Sequence, residues 1–499
     1  MTPHTDIQPV PEEIPVLVVG MGPTGLMLAG ELQLHGVSCL VLGTSGTPPN
    51  ESRALGFTPS MLEIFGHRDM LDEFGPLETS DAVHFAGIPI PAAFLTSPYR
   101  PVLRYPQFTT ESVLLRRAER LGAGIRPGHT VEDVQDHGEF VETLAHGPEG
   151  PLRVRSRYVV GCDGARSTVR GIAGLDFSLT EPTVQMLLAD IEHASGLPNN
   201  PFGKKTPDGM VMSGPISPDT DRLIVCDFHA TPLRRGTPVG KEHLEQAYRN
   251  VTGGPLPDGR IGWASYFNDA SGLAPSFRKG SVFLAGDAAH THLPAGGQGM
   301  NTSLQDAVNL AWKLAAALQG WGTTELLDSY DRERRQAALE LLTDTRAQGQ
   351  LFLRGPEVDP VREILQQVLA VPGAATVVAD RVTGMGLRHA ADSSSPEPAG
   401  RLLPTKHLRR DGGDAPPRGL LREGRGILLR LGGGDGNADR AATWKDRIDI
   451  RTADWVSDTS HPSLRTADVL VRPDGYVAWT SECAEPLSDA LTRWFGQAS

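Results

Sequence analysis

At 499 residues the chain exceeds what one hydrophobic core usually serves, so two or three domains are expected. Apolar and charged contents of 39% and 21% are ordinary for a globular protein, and 56 Gly and 40 Pro spread along the chain point to many turns rather than disorder. The formal net charge of -13 argues against non-specific binding to nucleic acid or to an anionic membrane surface.

Cys39, Cys162, Cys226 and Cys483 lie far apart, with no CxxC or metal-ligand spacing. Such thin usage fits buried thiols in a reducing compartment. The first residues, MTPHTDIQPVPEEIP, have neither a basic n-region nor an apolar h-region, and no run approaches a bilayer span. A cytoplasmic protein with no membrane partner is expected.

Ile14–Val19 (IPVLVV) is a continuous apolar run suited to a buried parallel strand. Gly20-Met21-Gly22-Pro23-Thr24-Gly25 follows, then a helical pattern that stops at Gly36, then a second buried strand over Val37–Leu42. A GxGxxG in this strand–turn–helix–strand setting predicts a dinucleotide site. Gly20 makes the tight turn, Gly22 admits the pyrophosphate, and Gly25 lets helix and strand pack, with Pro23 and Thr24 at the helix start. The acidic residue that holds the ribose hydroxyl in such units is replaced by Gly43, and the nearest carboxylate downstream is Glu51. The ribose is then held by backbone, by Thr44 or Ser45, or loosely, or the cofactor has been lost.

Tyr158–Arg170 (YVVGCDGARSTVR) reads as a strand, then Asp163-Gly164, then a helix start. Between Phe177 and Phe267 the pattern changes to short alternating runs broken by Pro, Asn and Gly, which predicts an antiparallel sheet with one covered face. Ala82–Pro91 (AVHFAGIPIP) has the same character and is a candidate to join that sheet.

The stretch Gly280–Trp312 begins with a short strand, Ser281–Ala285, and breaks at Gly286–Asp287. A loop dense in Gly and Pro leads to a helix with Leu304, Val308, Ala311 and Trp312 on one face. Glycines there let backbone N–H groups approach a bulky, electron-rich ligand, and the unpaired N–H groups of the helix start favour an anion. Asp287 is placed to accept hydrogen bonds from ligand hydroxyls. His290 and His292 lie two apart with no third ligand nearby, so no metal site is expected.

Ser329–Leu353 predicts a long amphipathic helix whose interleaved Asp, Glu and Arg lie on a solvated face. Residues 386–415 are Pro/Ser/Gly-rich and mark a linker, within which Leu408–Asp411 (LRRD) reads as solvated loop. Strands follow at Gly426–Arg430, Arg447–Thr452 and Asp468–Arg472, then a turn at Pro473-Asp474-Gly475 and a last helix over Pro486–Phe495.

The GxGxxG, GCDGARSTVR and AGDAAHTHLPAGGQGMNTSLQDAVNLAWKL segments, with ESRALGF at Glu51–Phe57, together resemble the flavoprotein aromatic hydroxylases built like p-hydroxybenzoate hydroxylase. Within that family the chain is most similar to the aromatic polyketide hydroxylases of angucycline and anthracycline pathways, over essentially its whole length. The resemblance implies an α/β fold in three domains. A Rossmann-like FAD domain takes residues 11–80, 104–176 and 273–385, and an antiparallel-sheet substrate domain takes 81–103 and 177–272. The linker 386–415 then leads to a thioredoxin-like domain, 416–499, in which a lone Cys483 excludes thiol–disulfide chemistry.

Carried over by motif, the resemblance places Gly20, Gly22 and Gly25 under the FAD pyrophosphate and Arg53 and Gln107 near the ribityl and phosphate groups. Asp163 belongs to the motif serving FAD, Asp287 meets the ribityl chain, and Pro294, Gly297, Gly299, Met300 and Asn301 wrap the isoalloxazine. Phe85, Met210, Met212 and Phe228 are candidates for the substrate-cavity lining, though each taken singly reads first as a core side chain. The usual ATR-like segment reads Ala270-Ser271-Gly272, without its Arg.

No acid–base dyad or nucleophile triad stands at a recognisable spacing, which fits chemistry carried by a cofactor. The implied reaction is reduction of FAD by NADPH or NADH, addition of O2 at flavin C4a, and transfer of one oxygen from the hydroperoxide to a phenol-like ring of a polycyclic polyketide. The alternatives are Baeyer–Villiger insertion into the same substrate class and a non-redox ligand-binding scaffold that has lost FAD. A homodimer is a candidate assembly.

Overall fold

The computed structural model describes residues 12–45, 54–234, 236–389, 396–409, 413, 415–431, 436–456 and 467–498. Strand β1 (Glu12–Val19) and strand β2 (Cys39–Gly43) flank helix α1 (Pro23–Leu34), which Pro23 opens with a preset φ. Helix α2 (Pro59–His67) precedes the hairpin β3 (Ala82–Phe85) and β4 (Ile88–Pro91). Helix α3 (Gln107–Arg120), strand β5 (Gly124–Pro127) and the meander β6 (Thr130–Asp136), β7 (Val141–Gly147) and β8 (Gly150–Gly161) follow. Strands β5, β2, β1 and β8 lie side by side and parallel, with Val16 paired to Cys39 on one side and to Tyr158 on the other. A strand buried on both faces has no use for polar alternation, and Val16, Leu17 and Val18 are fully buried.

Helix α4 (Thr168–Ala173) leads into a second sheet: β9 (Gln185–Glu192), β10 (Asn200–Lys205), β11 (Gly209–Ser217), β12 (Thr220–Asp227) and β13 (Arg260–Asn268). Its order is β10-β11-β12-β9-β13, all antiparallel. Leu187, Ala189, Ile191, Val211, Leu223 and Val225 pack on one face against helix α5 (Lys241–Thr252). The side chains between them, Met186, Met210 and Cys226, point to the other face. Ala82–Pro91 does not join this sheet. It forms a separate two-stranded hairpin closed by Ala86 and Gly87 at φ 51 and 77. Pro89 and Pro91 have no N–H to donate to a further strand, which limits it to an isolated pair.

The chain then returns to the first sheet through β14 (Gly272–Leu273), β15 (Arg278–Lys279) and β16 (Val282–Leu284), and β16 pairs parallel to β8. Strand β17 (His290–Thr291) pairs with β14. Helix α6 (Gly299–Leu318) lies along α1 and is buried at every position from Ser303 to Ala316. Helix α7 (Thr324–Phe352) starts at a Thr323 side chain that accepts the Leu326 N–H. Helices α8 (Asp359–Leu369) and α9 (Pro372–Thr383) follow, and α9 packs Ala375, Ala379 and Val382 onto Val83, Ile88 and Ile90 of the hairpin. The charge cluster of α7 is not all solvated: Glu333 and Arg334 are buried.

The C-terminal part holds β18 (Leu408–Arg409), β19 (Gly426–Arg430), α10 (Gly436–Ala441), β20 (Ile448–Thr452), β21 (Asp454–Trp455), β22 (Asp468–Val471), β23 (Val477–Thr480) and α11 (Leu487–Phe495). The sheet order is β20-β19-β22-β23, parallel only between β19 and β20. Leu428 and Leu470 face Trp312, Ala316 and Leu326, so this sheet is seated on α6 and α7. The alternate residues Ile427, Leu429, Val469 and Val471 face Leu403, Leu408, Leu420 and Leu421. The described part of 386–415 is therefore packed rather than a bare tether. Leu408, expected in solvated loop, is fully buried in a strand paired with β21. Among the described residues, no helix is long and apolar enough to cross a membrane.

Candidate cofactor and substrate site

Three segments far apart in sequence meet at the ends of β1, β8 and β16. A Cβ on Gly20 would overlap the Cys162 carbonyl, and one on Gly25 would overlap the Gly20 carbonyl. One on Gly286 would stand 2.6 Å from Thr24 Oγ1 and 3.1 Å from Ser303 Oγ. Backbone approach of this kind is what these glycines allow. Gly22 differs: a Cβ there would meet nothing within 4 Å, so this residue borders open space at the start of α1. Neither α1 nor α6 has a side-chain cap or an acidic first turn. Two helix starts with free first-turn N–H groups thus flank one glycine-lined cradle, a fit for a diphosphate and for ring carbonyls.

Asp163 closes the β8 turn: its carboxylate accepts from Ser167 Oγ (2.5 Å), Thr168 N (2.7 Å) and Val169 N (3.1 Å). Asp287 heads the 3-10 turn Gly286–Ala288 with its side chain exposed. Pro294 and Gly297 lie exposed in the following loop, Gly297 at φ 65, and Gly299 and Met300 are half-buried at the start of α6. Gln107 opens α3, its N–H donating to Ala54 O (3.1 Å) and its Nε2 to Glu111 (2.8 Å). Arg53 lies outside the described residues.

Asn301 ties the described part of the ESRALGF segment to this loop. Its Oδ1 accepts Thr58 N (3.0 Å), and its Nδ2 donates to Gly56 O (3.2 Å) and Gly297 O (3.0 Å). The chain of contacts continues through Thr58 Oγ1 to Ser60 Oγ (3.1 Å), from Gln305 Nε2 to Ser60 Oγ (3.1 Å), and from Tyr476 OH to Gln305 Oε1 (3.1 Å). The C-terminal sheet is thereby hydrogen-bonded, step by step, to the loop at Asn301.

Behind the cradle, Asp306 accepts from Gly286 N (3.0 Å), His290 Nε2 (2.8 Å) and Arg334 Nε (2.6 Å), all buried. Burial pushes the Asp306 carboxyl up, and Arg334 and His290 outweigh that, leaving it below the ordinary carboxylate range. Lys313, Glu333, Arg472 and Asp474 form a second buried cluster where α6 and α7 meet the C-terminal sheet. Burial lowers Lys313 to about 8, against the pull of Glu333. Sequence reasoning missed Ser60, Gln305, Asp306, Arg334 and Tyr476. One signal was present: Asn301, Gln305, Asn309 and Lys313 recur at i+4 on a helix otherwise apolar, which marks a buried polar face.

The four residues assigned to the substrate cavity come together. Met210 is buried, and Phe85, Met212 and Phe228 are partly buried, in one apolar cluster with Met186, Leu293 and Phe352. Leu293 and Ala295 belong to the same loop that ends at Asn301, so the apolar cluster and the cradle share a wall. His292 is half-buried in that wall, its imidazole lowered to about 4 by loss of solvent, its Nδ1 against Leu293 O (2.7 Å). Among the described residues, no three His, Cys, Asp or Glu side chains stand together as a metal site.

Gly43 ends β2 beside the cradle. A Cβ there would stand 2.5 Å from Met21 Cβ, so the absent carboxylate is not a simple vacancy: Met21 takes its room.

The FAD binding domain family matches residues 13–345, and the C-terminal family of aromatic-ring hydroxylases matches 397–498. The chain belongs to the flavoprotein aromatic-ring hydroxylases. This hydroxylase is an enzyme whose cofactor is FAD. It is 37% identical to a 12-dehydrotetracycline 5-monooxygenase/anhydrotetracycline 6-monooxygenase of Streptomyces rimosus subsp. rimosus, over 96% of this chain and 98% of that one. CabE, an aromatic hydroxylase from angucycline biosynthesis, has the same fold with a TM-score of 0.91 at 43% identity, over 97% of this chain and 100% of that one. The Diels-Alderase PyrE3 of pyrroindomycin biosynthesis aligns with a TM-score of 0.83 at 32% identity, over 97% and 99% of the two chains.

Proposed function

We propose that this hydroxylase transfers one atom of O2 to a phenol-like ring of a polycyclic aromatic polyketide, with FAD reduced by NADPH or NADH. The observation that carries this reading is the wall shared by the glycine-lined cradle and the apolar cluster, the loop from Leu293 to Asn301. FAD, when bound and reduced, supplies the activation of O2.

The chain's own residues hold and shield. Gly20, Gly22 and Gly25, with Pro23 and Thr24 at the helix start, receive the pyrophosphate on the free N–H groups of α1. Arg53 and Gln107 lie along the phosphate and ribityl groups, Asp163 fixes the turn under Gly20, and Asp287 accepts from ribityl hydroxyls. Pro294 and Gly297 back the ring system, and the N–H groups of Gly299, Met300 and Asn301 face its N1/O2 edge. Donors aimed there stabilise negative charge on the reduced ring. Phe85, Met210, Met212 and Phe228 keep water from the reacting oxygen.

The β1-α1-β2 unit supports a Rossmann-like FAD domain over 11–80, 104–176 and 273–385, with 81–103 and 177–272 as the substrate domain. For 416–499, the parallel β19-α10-β20 unit followed by antiparallel β22, β23 and α11 supports the thioredoxin-like reading. Its role is docking on α6, because Cys483 is its only cysteine. The Diels-Alderase relative favours a second reading, a scaffold whose reaction inserts no oxygen.

The purified protein should be yellow and should consume NAD(P)H with a polycyclic phenol such as anhydrotetracycline, giving a product heavier by one oxygen. The carbonyl spectrum of that product separates a ring hydroxyl from a Baeyer–Villiger lactone. Asp287→Ala should lose flavin while the fold persists. A yellow protein whose product carries no added oxygen would sink the oxygenase reading and support the second.

A further inference from the structure

Gln348 stands on α7 with its side-chain amide almost wholly buried. Its Oε1 accepts the N–H of Ala86 at the tip of the β3–β4 hairpin (3.2 Å). A backbone N–H can only donate, so this contact fixes which end of the amide is oxygen. The Nε2 is left buried with no acceptor. Gln298, also buried, likewise has an Nε2 without a partner. Both nitrogens lie beside one place: a Cβ on Gly296 would lie 3.2 Å from Gln298 Nε2 and 3.6 Å from both Nε2 and Oε1 of Gln348. Gln348 borders an apolar cluster through Ala86, which packs there with Leu293 and Phe352.

If Gln348 served only to hold the hairpin, an acceptor alone would be enough, and its N–H donors would be a buried deficit. Buried donors are nearly always paired in folded proteins, so two unpaired donors side by side at Gly296 mark the place of an absent acceptor. We propose that Gln348, with Gln298 beside it, donates hydrogen bonds to a carbonyl oxygen of the substrate and so selects hydroxyquinones over plain polycyclic phenols. This rests on the hydroxylase reading above and adds the group that the pocket recognises. Gln348 is a specificity residue: it reads an oxygen remote from the reacting carbon.

The test compares alizarin, a dihydroxyanthraquinone, with dihydroxyanthracene, which lacks the two carbonyls. Equilibrium dialysis in the dark, without NAD(P)H, reads binding alone. The parent protein should prefer alizarin, and Gln348→Glu, which keeps an acceptor for Ala86, and Gln348→Met should each weaken alizarin binding about tenfold. Binding of dihydroxyanthracene should be unchanged in both variants. Equal losses for the two ligands would show a structural role, and no preference in the parent would show that no carbonyl is read; either overturns the proposal. Flavin absorbance of the protein before ligand is added judges the hydroxylase reading separately. A colourless protein defeats that reading, whereas a yellow one with no alizarin preference defeats only the inference about Gln348.

Discussion

Replacing Gly43 by Glu would restore the acidic residue that GxGxxG units carry at this place, and the simplest expectation is tighter FAD. The packing predicts otherwise. A new Cβ stands 2.5 Å from Met21 Cβ, where carbon atoms ordinarily rest about 3.5–4.0 Å apart. Met21 Cβ is fixed to the backbone, so it cannot swing away, and over-packing of this kind costs about 1–3 kcal/mol. A carboxylate accepting a ribose hydroxyl contributes about 1.5–3 kcal/mol. Relieving that overlap displaces the new carboxylate from the ribose, so little of this is realised and Gly43→Glu alone should leave FAD affinity within about fivefold of the parent. Apoprotein stability should fall by about 1–3 kcal/mol. Met21→Gly removes the obstructing carbon, and the double variant Met21→Gly/Gly43→Glu should bind FAD about tenfold tighter than Met21→Gly alone. Met21→Ala should not, because it keeps the Cβ. Flavin fluorescence titration and urea unfolding of the parent and these variants read both quantities. A single Gly43→Glu variant with tenfold tighter FAD and undiminished stability would refute the reasoning, since it would show that Met21 is no obstacle.

Glu63 is buried, and burial pushes its carboxyl up to about 7 from 4.5, against hydrogen bonds from Thr405 and Ser97. The folded state holds a proton that the unfolded chain has already released, so this contribution is complete below 4.5 and lost as pH rises through 7. The loss amounts to about 3 kcal/mol at most, and Glu63→Gln should flatten stability between about pH 5 and about pH 8. An unchanged slope in urea unfolding would count against it. Asp306→Asn leaves the buried Arg334 guanidinium without a counter-charge and should cost about 3–5 kcal/mol, with Asp306→Asn/Arg334→Met recovering part of the loss. Additive losses in that cycle would contradict the pairing. Tyr476→Phe strands the Gln305 amide oxygen, should cost about 1–2 kcal/mol, and should speed FAD release by loosening the chain to Asn301. An unaltered release rate would show that the C-terminal sheet does not reach the cofactor site by this route.

Much of the fold is written in local pattern. The unbroken apolar runs at Ile14–Val19 and Val37–Leu42 became adjacent parallel strands, and the alternating runs after Phe177 became the antiparallel sheet. The strands at the C-terminal end fell within two residues of their expected bounds. Burial of one face or two leaves its period in the sequence, so these elements could be read without their neighbours. The glycine motifs were legible for a similar reason, since each serves a close approach that no side chain permits.

The partners of charged and polar groups were not legible. Glu333 and Arg334 sit in a helix with the spacing of a solvated surface, yet their counter-charges are Arg472 and Asp306, which no local period connects to them. The obstruction at Gly43 belongs to Met21, and the orphaned amide of Gln348 has meaning only beside Gly296 and the apolar cluster. By itself the sequence determined most strands and the long helices, their apolar faces and where glycine leaves the backbone open, because these follow from forces between near neighbours. Tertiary structure alone decided which charges are matched and which donors are left waiting. Those depend on the low-dielectric contacts made when distant segments meet, and local spacing shows at most that a face is polar and buried, as on α6, not which partner it meets.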